Sequence, residues 1–243
     1  MAHCYFADEF SPGLAAVTGQ SARHLARVLR VRAGDRLPLC DGQGFLYDAA
    51  VTAVSPERVE LAPGPGRLSA AEPSTRVTLF AACPKQDKLE LVLQKAVELG
   101  AVRIVPFFSR FCVAAPKNEQ AKQQRRARIA REAAEQAGRA VIPAVEEAVS
   151  FDALCARLAA NEFDAALLCY EKGGAPLRQL APPLAGKRVA LITGAEGGFA
   201  PDEAEALAAA GAKLVGLGPR ILRCETAPIA ALAALLTLTG ELE

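Results

Sequence analysis

Beyond residue 73 the chain alternates between short apolar runs and segments with helical periodicity, which limits the folds that it can adopt. The apolar runs predict strands at 77–82, 102–106, 163–170, 188–193 and 213–217. The segments between them predict helices at about 85–99, 119–138, 151–160, 201–210 and 226–238. Strands that alternate with helices favour a parallel sheet covered on both faces, so we predict an α/β fold.

The first part of the chain has a different pattern, dominated by short strands. Strands are predicted at 36–39, 44–54 and 58–61, with turn signals at Asp41–Gly42 and Ser55–Pro56. One short helix is predicted at 21–29, with Ser21 as its N-cap. A segment of about 65 residues with this pattern favours a small β-barrel.

A proline- and glycine-rich segment separates the two patterns. It runs from Ala62 to Arg67, and a polar stretch continues it to Ser74. Because proline and glycine interrupt helices and strands, we predict a linker here. The predicted domains are therefore residues 1–68 and residues 74–243.

Composition excludes several classes of protein. With 51% hydrophobic and 23% charged residues, the chain can bury a core. No apolar stretch reaches the roughly 20 residues of a membrane span, and the first residues lack the pattern of a secretory signal. We therefore predict a cytoplasmic protein that does not enter membranes. The seven cysteines show no metal-ligand spacing, so neither disulfides nor a metal site is predicted.

Positive charge is concentrated in two stretches, although the net charge is only +1. One runs from Arg23 to Arg36, and the other from Lys117 to Arg139. In the first stretch Arg23, Arg27 and Arg30 have the spacing of one helical face. Such stretches can bind the phosphates of a nucleic acid or can be solvated helix surfaces, and charge alone leaves both interpretations open.

Two loops at predicted strand ends carry the clearest signals. The first follows Thr193 and has three glycines within Gly194–Gly198, a composition that lets the backbone approach a ligand closely. It matches neither a P-loop nor the dinucleotide fingerprint, and an ordinary tight turn is the alternative.

The second loop, Leu217–Ala227, holds two arginines and a glutamate among apolar residues, directly before an apolar helix. Thr226 is the predicted N-cap of that helix. Charged groups at the edge of a core require a partner or a ligand, so this loop is a second candidate site.

These two loops closely resemble the cofactor-site signatures of the RsmE family. Further matching segments are His24–Arg32, Lys85, Gln94–Gly100 and Arg131–Arg139, so the resemblance spans nearly the whole chain. The sequence departs from the family pattern at Ala195, where the family usually has proline, and at His3–Cys4, where it usually has arginine.

The resemblance implies a fold, a reaction and partners. RsmE proteins are SPOUT-class methyltransferases that transfer a methyl group from S-adenosylmethionine to uridine N3 in the decoding region of 16S ribosomal RNA. The implied fold is a PUA-like RNA-binding β-barrel followed by a parallel sheet with a C-terminal trefoil knot. The implied partners are 16S ribosomal RNA, or the assembled small ribosomal subunit, and a second copy of the chain in a homodimer.

The resemblance also implies roles for individual residues. The cofactor-binding residues would be Leu168, Thr193, Gly194, Glu196, Gly197, Leu217, Gly218, Ile221, Leu222 and Arg223. The catalytic candidates are Arg223, Glu225 and Arg139, and the RNA-binding candidates are Arg23, Arg27, Arg30, Lys85 and Arg131. For the aliphatic residues, core packing is the alternative.

The implied reaction needs particular chemistry, because uridine N3 is a poor nucleophile until its proton leaves. Arg223, and less directly Arg139, could stabilise the resulting anion. Glu225 could be the base or could orient Arg223, and both roles stay open. Cys224 is interpreted as a packing residue, since N3 attack requires no covalent adduct.

Two other functions are compatible with the sequence. The chain could be a non-catalytic RNA-binding factor in ribosome assembly, or a SPOUT methyltransferase that acts on another RNA position. Ribose methyltransferases of this class generally carry Ser/Thr-Leu-Asn before the last helix, where this chain has Leu222–Glu225. This difference favours methylation of a base.

Overall fold

A computed structural model describes residues 4–85, 88–112 and 119–242, of which Glu119 is described by its backbone alone. The chain divides into unit 1, Met1–Glu72 with Glu132–Ile142, and unit 2, Pro73–Arg131 with Pro143–Glu243. The sequence pattern did not predict that residues 132–142 belong to unit 1. His3 and Lys117, which the sequence analysis singled out, lie outside the described residues.

Unit 1 is built around a six-stranded sheet. Its strands are β1 Tyr5–Phe6, β2 Glu9–Ser11, β3 Leu14–Thr18, β4 Arg36–Cys40, β5 Phe45–Val54 and β6 Arg58–Leu68, in the order β1-β4-β5-β6-β3-β2. Among the described strands of unit 1, only the β1–β4 pair is parallel. Tyr5, Val17, Leu39, Val51 and Leu61 meet in one buried cluster, so the sheet curls around its own core.

The predicted linker is wrong, because Ala62–Arg67 lies within strand β6. β6 pairs with β5 along most of its length, but with β3 only through Arg58–Leu61. Beyond Leu61 one edge of β6 therefore has no strand neighbour among the described residues, and proline is tolerated there because no N–H is needed. Gly66 is required by packing, since a methyl group on it would lie 2.6 Å from the Tyr47 ring.

The predicted helix at 21–29 has a different form. Helix α1 is Gly19–Arg23, with Thr18 rather than Ser21 at the N-cap position. A π-helix, His24–Leu29, continues it and ends at Arg30, whose φ is +54°. Because a π-helix is wider than an α-helix, Arg23, Arg27 and Arg30 do not form the regular helical stripe that we predicted, although all three are exposed.

Unit 2 contains the predicted parallel sheet. Its strands are β7 Arg76–Ala82, β8 Arg103–Phe108, β9 Ala144–Val145, β10 Val149–Ser150, β11 Ala165–Cys169, β12 Ala175–Pro176, β13 Arg188–Thr193 and β14 Ala212–Gly216. The order is β10-β8-β7-β13-β11-β14-β12, with β9 also beside β8, and every described pair is parallel. The parallel α/β prediction is confirmed.

Helices cover both faces of this sheet, as predicted. The helices of unit 2 are α2 Lys88–Leu99, α4 Phe151–Ala159, α5 Leu177–Leu180, α6 Pro201–Ala209 and α7 Thr226–Leu238. Helix α3, Glu119–Ala137, belongs to unit 2 as far as Arg131 and to unit 1 from Glu132 onwards. Phe80, Ile192 and Leu168 form a core on one face with Leu154 of α4 and Leu207 of α6. On the other face α7 packs against β7, β13 and α2. The trefoil knot stays a prediction.

The helices also bear on membrane insertion. Among the described residues, none of the helices combines the length and apolar character needed to cross a bilayer.

Candidate cofactor site

Three loops of unit 2 meet at one edge of the parallel sheet. β11 lies between β13 and β14, so the carboxyl ends of all three strands reach the same edge, where parallel sheets bind ligands. A cavity of about 830 Å³ lies there, lined by residues of the loops that follow these strands and by Lys88 of α2. The two loops predicted from the sequence thus contribute to one cavity.

The first loop, Gly194–Phe199, is a turn that larger residues would disrupt. A methyl group on Gly197 would lie 2.6 Å from Cβ of Phe111, and one on Gly194 would lie 3.1 Å from Cα of Gly198. Gly198 has a φ of +64° and donates its N–H to the Ala195 carbonyl at 3.0 Å. The glycines therefore permit close packing as well as access to the backbone.

The start of α6 fixes the far end of this loop. Pro201 is the first helical residue, as predicted. The Glu203 carboxylate accepts the N–H of Ala200 at 3.0 Å and the N–H of Arg110 at 2.8 Å. Both ends of the glycine loop are thereby held by regular structure.

Glu196 lines the cavity, but its carboxylate is bonded to the protein. It accepts the Lys85 N–H at 3.1 Å and the Lys88 ammonium at 3.0 Å. Burial raises the pKa of Glu196, but hydrogen bonds from its own amide, Lys88 and Lys85 outweigh burial, so the pKa is lower than usual. This carboxylate is therefore a charged anchor of the first loop.

The second loop, Leu217–Glu225, supplies exposed side chains, among them two cations. Gly218 has a φ of +100°, which glycine adopts without strain, and the Ile221 side chain is 78% exposed. Arg220 and Arg223 are exposed and form no ion pair with any described residue. They remain available to a ligand.

Glu225 and Cys224 lie at the end of this loop. The Cys224 thiol donates to Glu225 Oε2 at 3.1 Å, and the Lys88 ammonium lies 3.7 Å from the same oxygen. The hydrogen bond from Cys224 is the main reason that the pKa of Glu225 is lowered. Burial, followed by the bond to Glu225, raises the pKa of Cys224 to about 11, so the thiol stays protonated near neutral pH.

Thr226 is the first residue of α7, and Glu225 occupies the N-cap position without a side-chain capping bond. The prediction of Thr226 as N-cap is therefore wrong by one residue. The Glu225 carboxylate faces Lys88 and Cys224 instead.

A third loop, Tyr170–Gly174, lies between β11 and β12 and also lines the cavity, and it was not predicted from the sequence. Gly174 has a φ of +141°, and a methyl group on it would lie 2.7 Å from the backbone of β14. The Glu171 carboxylate lies against Gly198 of the first loop. The position after a parallel strand was the available signal, whereas the sequence had no signal for Lys88.

Most of the predicted cofactor residues line the cavity, and Leu168 does not. The lining includes Thr193, Gly194, Glu196, Gly197, Leu217, Gly218, Ile221, Leu222 and Arg223, together with Glu225. Leu168 is fully buried in the sheet core, and the next residue, Cys169, reaches the cavity instead.

The other predicted residues have varied surroundings. Arg139 belongs to unit 1, where its side chain is only 2% exposed and is paired with Glu72. Arg23 lies 3.6 Å from Glu57. Lys85 contacts Glu196 through its backbone, and Arg131 on α3 is partly buried.

Among the described residues, no group of three or more histidines, cysteines, aspartates or glutamates could hold a metal ion.

Comparisons with known proteins identify the family of this chain. Residues 71–236 match the model of an RNA methyltransferase domain, and residues 17–63 match the model of an RNA methyltransferase PUA domain. Ribosomal RNA small subunit methyltransferase E of Bacillus subtilis is 33% identical, over 90% of this chain and 88% of the relative. The chain belongs to the RsmE family.

Other RsmE proteins agree with this assignment. The Mycobacterium bovis protein is 36% identical, over 93% of this chain and 87% of its own length. The crystal structure of the Neisseria gonorrhoeae protein bound to S-adenosyl methionine has a TM-score of 0.86 and 29% identity, with 98% of each chain covered. The predicted RsmE resemblance is confirmed.

Proposed function

We propose that this chain transfers a methyl group from S-adenosylmethionine to N3 of a uridine in 16S ribosomal RNA, in the decoding region. One observation carries the proposal: both signature loops line a single cavity into which Arg223 brings an unpaired charge. Membership of the RsmE family and a relative crystallised with S-adenosyl methionine support the choice of cofactor.

The cavity residues fit such a cofactor. The volume of about 830 Å³ lies in the range of small-molecule sites. Glycine backbone from the first loop and aliphatic side chains such as Leu217 and Leu222 would hold the nucleoside. When bound, the cofactor supplies an electrophilic methyl group.

The residues of this chain would then prepare the target base. Arg223 is exposed and unpaired among the described residues, so it can donate to a uracil carbonyl and stabilise the N3 anion. Glu225 has a lowered pKa and is therefore a weak base. Its carboxylate bonds the Cys224 thiol and lies 3.7 Å from the Lys88 ammonium, so both of its open roles stay predictions.

Arg139 contributes differently in this proposal. Its guanidinium is almost fully buried and bonded to Glu72 within unit 1. We therefore assign it a structural role in unit 1, leaving Arg223 as the cationic catalytic residue.

The proposal extends to partners and location. Unit 1 would bind ribosomal RNA, within the assembled small subunit, through exposed arginines such as Arg27 and Arg30. The active form would be a cytoplasmic homodimer, which sedimentation of the purified protein would test.

The decisive experiment maps modified nucleotides in 16S ribosomal RNA by mass spectrometry. A strain without this gene should lose one N3-methyluridine, which the wild-type gene and the control Arg178→Ala restore but Arg223→Ala does not. Arg178 is exposed on α5 and does not line the cavity. Loss of another modified nucleotide would indicate a different RNA position, and an unchanged RNA would indicate a non-catalytic factor.

A further inference from the structure

Lys88 connects the two signature loops through a single ammonium group. Its Nζ lies 3.0 Å from Glu196 Oε1 in the first loop and 3.7 Å from Glu225 Oε2 in the second. The same atom lies 3.8 Å from the Cys224 sulfur. Three segments that are distant in sequence therefore meet at one charge.

The position of Lys88 makes this contact well defined. Lys88 is the first residue of α2, whose buried residues Leu89, Val92 and Leu93 anchor the helix in the core of unit 2. Its side chain is 32% exposed, and the Glu225 side chain is 17% exposed. Partly buried charges are screened less by salt than surface charges are, so the contacts retain more of their strength.

Removal of this ammonium would leave two carboxylates facing one cavity. The Lys85 N–H also bonds Glu196, and the Cys224 thiol also bonds Glu225, but both of these donors are neutral. Like charges in the same site repel each other and favour movement of one loop away from the other. Lys88 therefore supplies the attraction between the loops.

The cations around the cavity divide into two kinds. Of the described residues in the lining, Lys88, Arg220 and Arg223 are cationic. Lys88 is committed to Glu196 and Glu225, whereas neither arginine forms an ion pair with a described residue. Lys88 therefore binds other parts of the protein, whereas Arg220 and Arg223 can bind a ligand.

We propose that Lys88 is a positioning residue that holds the two cofactor loops together, so that its loss weakens cofactor binding rather than methyl transfer. The inference rests on the proposed function, because it takes S-adenosylmethionine as the ligand of the cavity. It adds a residue that acts through Glu196 and Glu225.

The test compares Lys88→Met with wild type by calorimetry with S-adenosylmethionine. We expect the dissociation constant to rise about tenfold, the scale for a lost hydrogen bond to a charged group. Lys88→Arg keeps the charge and should recover most of the affinity. Lys95→Met is the matched control, because Lys95 is on the same helix and pairs with Glu98 at 2.8 Å.

Kinetics distinguish positioning from catalysis. At saturating cofactor, Lys88→Met should keep kcat near the wild-type value while KM for the cofactor rises. A fall in kcat with unchanged cofactor affinity would overturn the proposal and place the ammonium on the target base. If wild type itself bound no S-adenosylmethionine, the proposed function would fail instead.

A double-mutant cycle tests the contact itself. Glu225→Gln should weaken cofactor binding. The combined variant Lys88→Met/Glu225→Gln should lose less binding free energy than the sum of the two single losses, because both changes remove the same Lys88–Glu225 contact. Additive effects would contradict the bridge. Circular dichroism of each variant excludes loss of the fold as the cause.

Discussion

The guanidinium of Arg139 lies 2.7 Å from a carboxylate oxygen of Glu72, and only 2% of the arginine side chain is exposed. The other carboxylate oxygen accepts the N–H groups of Ala140 and Val141 at 2.9 and 3.1 Å. The Arg139 carbonyl accepts the Cys4 thiol at 3.1 Å. The Glu72 carboxylate therefore joins its part of unit 1 to residues 139–141 through an ion pair and two backbone hydrogen bonds.

Arg139→Met should destabilise the protein. Removal of one partner of a buried ion pair costs about 3 kcal/mol, because the other partner keeps its burial without its counter-charge. We expect the free energy of unfolding, measured in urea, to fall by about that amount, with Arg139→Lys falling less. If the folded Met variant bound cofactor and RNA but transferred no methyl group, Arg139 would be catalytic after all.

Gly197→Ala should impair the cofactor site more than the fold. The added methyl group would lie 2.6 Å from Cβ of Phe111, which has no freedom to rotate away. Overpacking of this kind costs roughly 1–3 kcal/mol, so we expect the dissociation constant for S-adenosylmethionine to rise about tenfold.

Gly211→Ala provides the comparison for this glycine. Gly211, unlike Gly197, has a positive φ, +103°, and a methyl group on it would meet no atom within 4 Å. We expect some loss of stability and unchanged cofactor affinity. Equal binding defects in both variants would point to general strain rather than to the loop.

Charge reversal at Arg27 and Arg30 should weaken RNA binding. Both side chains are exposed and form no ion pair with a described residue. If each contacts a phosphate, the double variant Arg27→Glu/Arg30→Glu should reduce the salt dependence of binding by about two units of slope. Filter binding to small subunits that lack the modification would measure it.

Two controls accompany this experiment. Arg178→Glu changes the charge of unit 2 at an exposed position and should leave the salt slope unchanged. Cofactor affinity, measured without RNA, should match wild type in all variants. Unchanged RNA binding in the double variant would remove these arginines from the interface.

Glu162 should make the stability of unit 2 depend on acid pH. Its carboxylate accepts Arg157 Nε at 2.9 Å and also bonds Arg103. The hydrogen bonds from Arg157 lower the pKa of Glu162 from 4.5 to about 2. Because the folded pKa is the lower one, the stabilisation is complete above pH 4.5 and is lost as pH falls towards 2.

Glu162→Gln isolates this contribution. The variant should be less stable than wild type at neutral pH, and the difference should shrink between pH 4.5 and 2 as the wild-type carboxylate takes up its proton. Urea denaturation at several pH values measures both quantities. A difference that stays constant over this range would show that Glu162 acts through packing alone.

Local patterns predicted the main elements of unit 2. β13, Arg188–Thr193, and α7, Thr226–Leu238, begin and end at the predicted residues. Both are apolar segments with clear boundaries, so local preference and tertiary packing agree. The two glycine-bearing loops were visible for the same reason, since each directly follows a predicted strand.

Prediction failed where the outcome depends on neighbours. Pro63 and Pro65 were predicted to lie in a linker, but they lie in β6. The strand tolerates them because one of its edges is unpaired there and needs no N–H donor. The side chain of Leu168, a predicted cofactor residue, lies in the core and Cys169 lines the cavity instead, because the direction of a strand side chain alternates with register.

The sequence alone determined the class of fold, the two signature loops and the family, because each depends on residues that are close together along the chain. The tertiary structure decided which distant groups meet. Placement of β11 between β13 and β14 brought in the Tyr170–Gly174 loop, and the start of α2 brought Lys88 to Glu196 and Glu225. Contacts of this kind follow from strand order and packing, which local preferences do not encode.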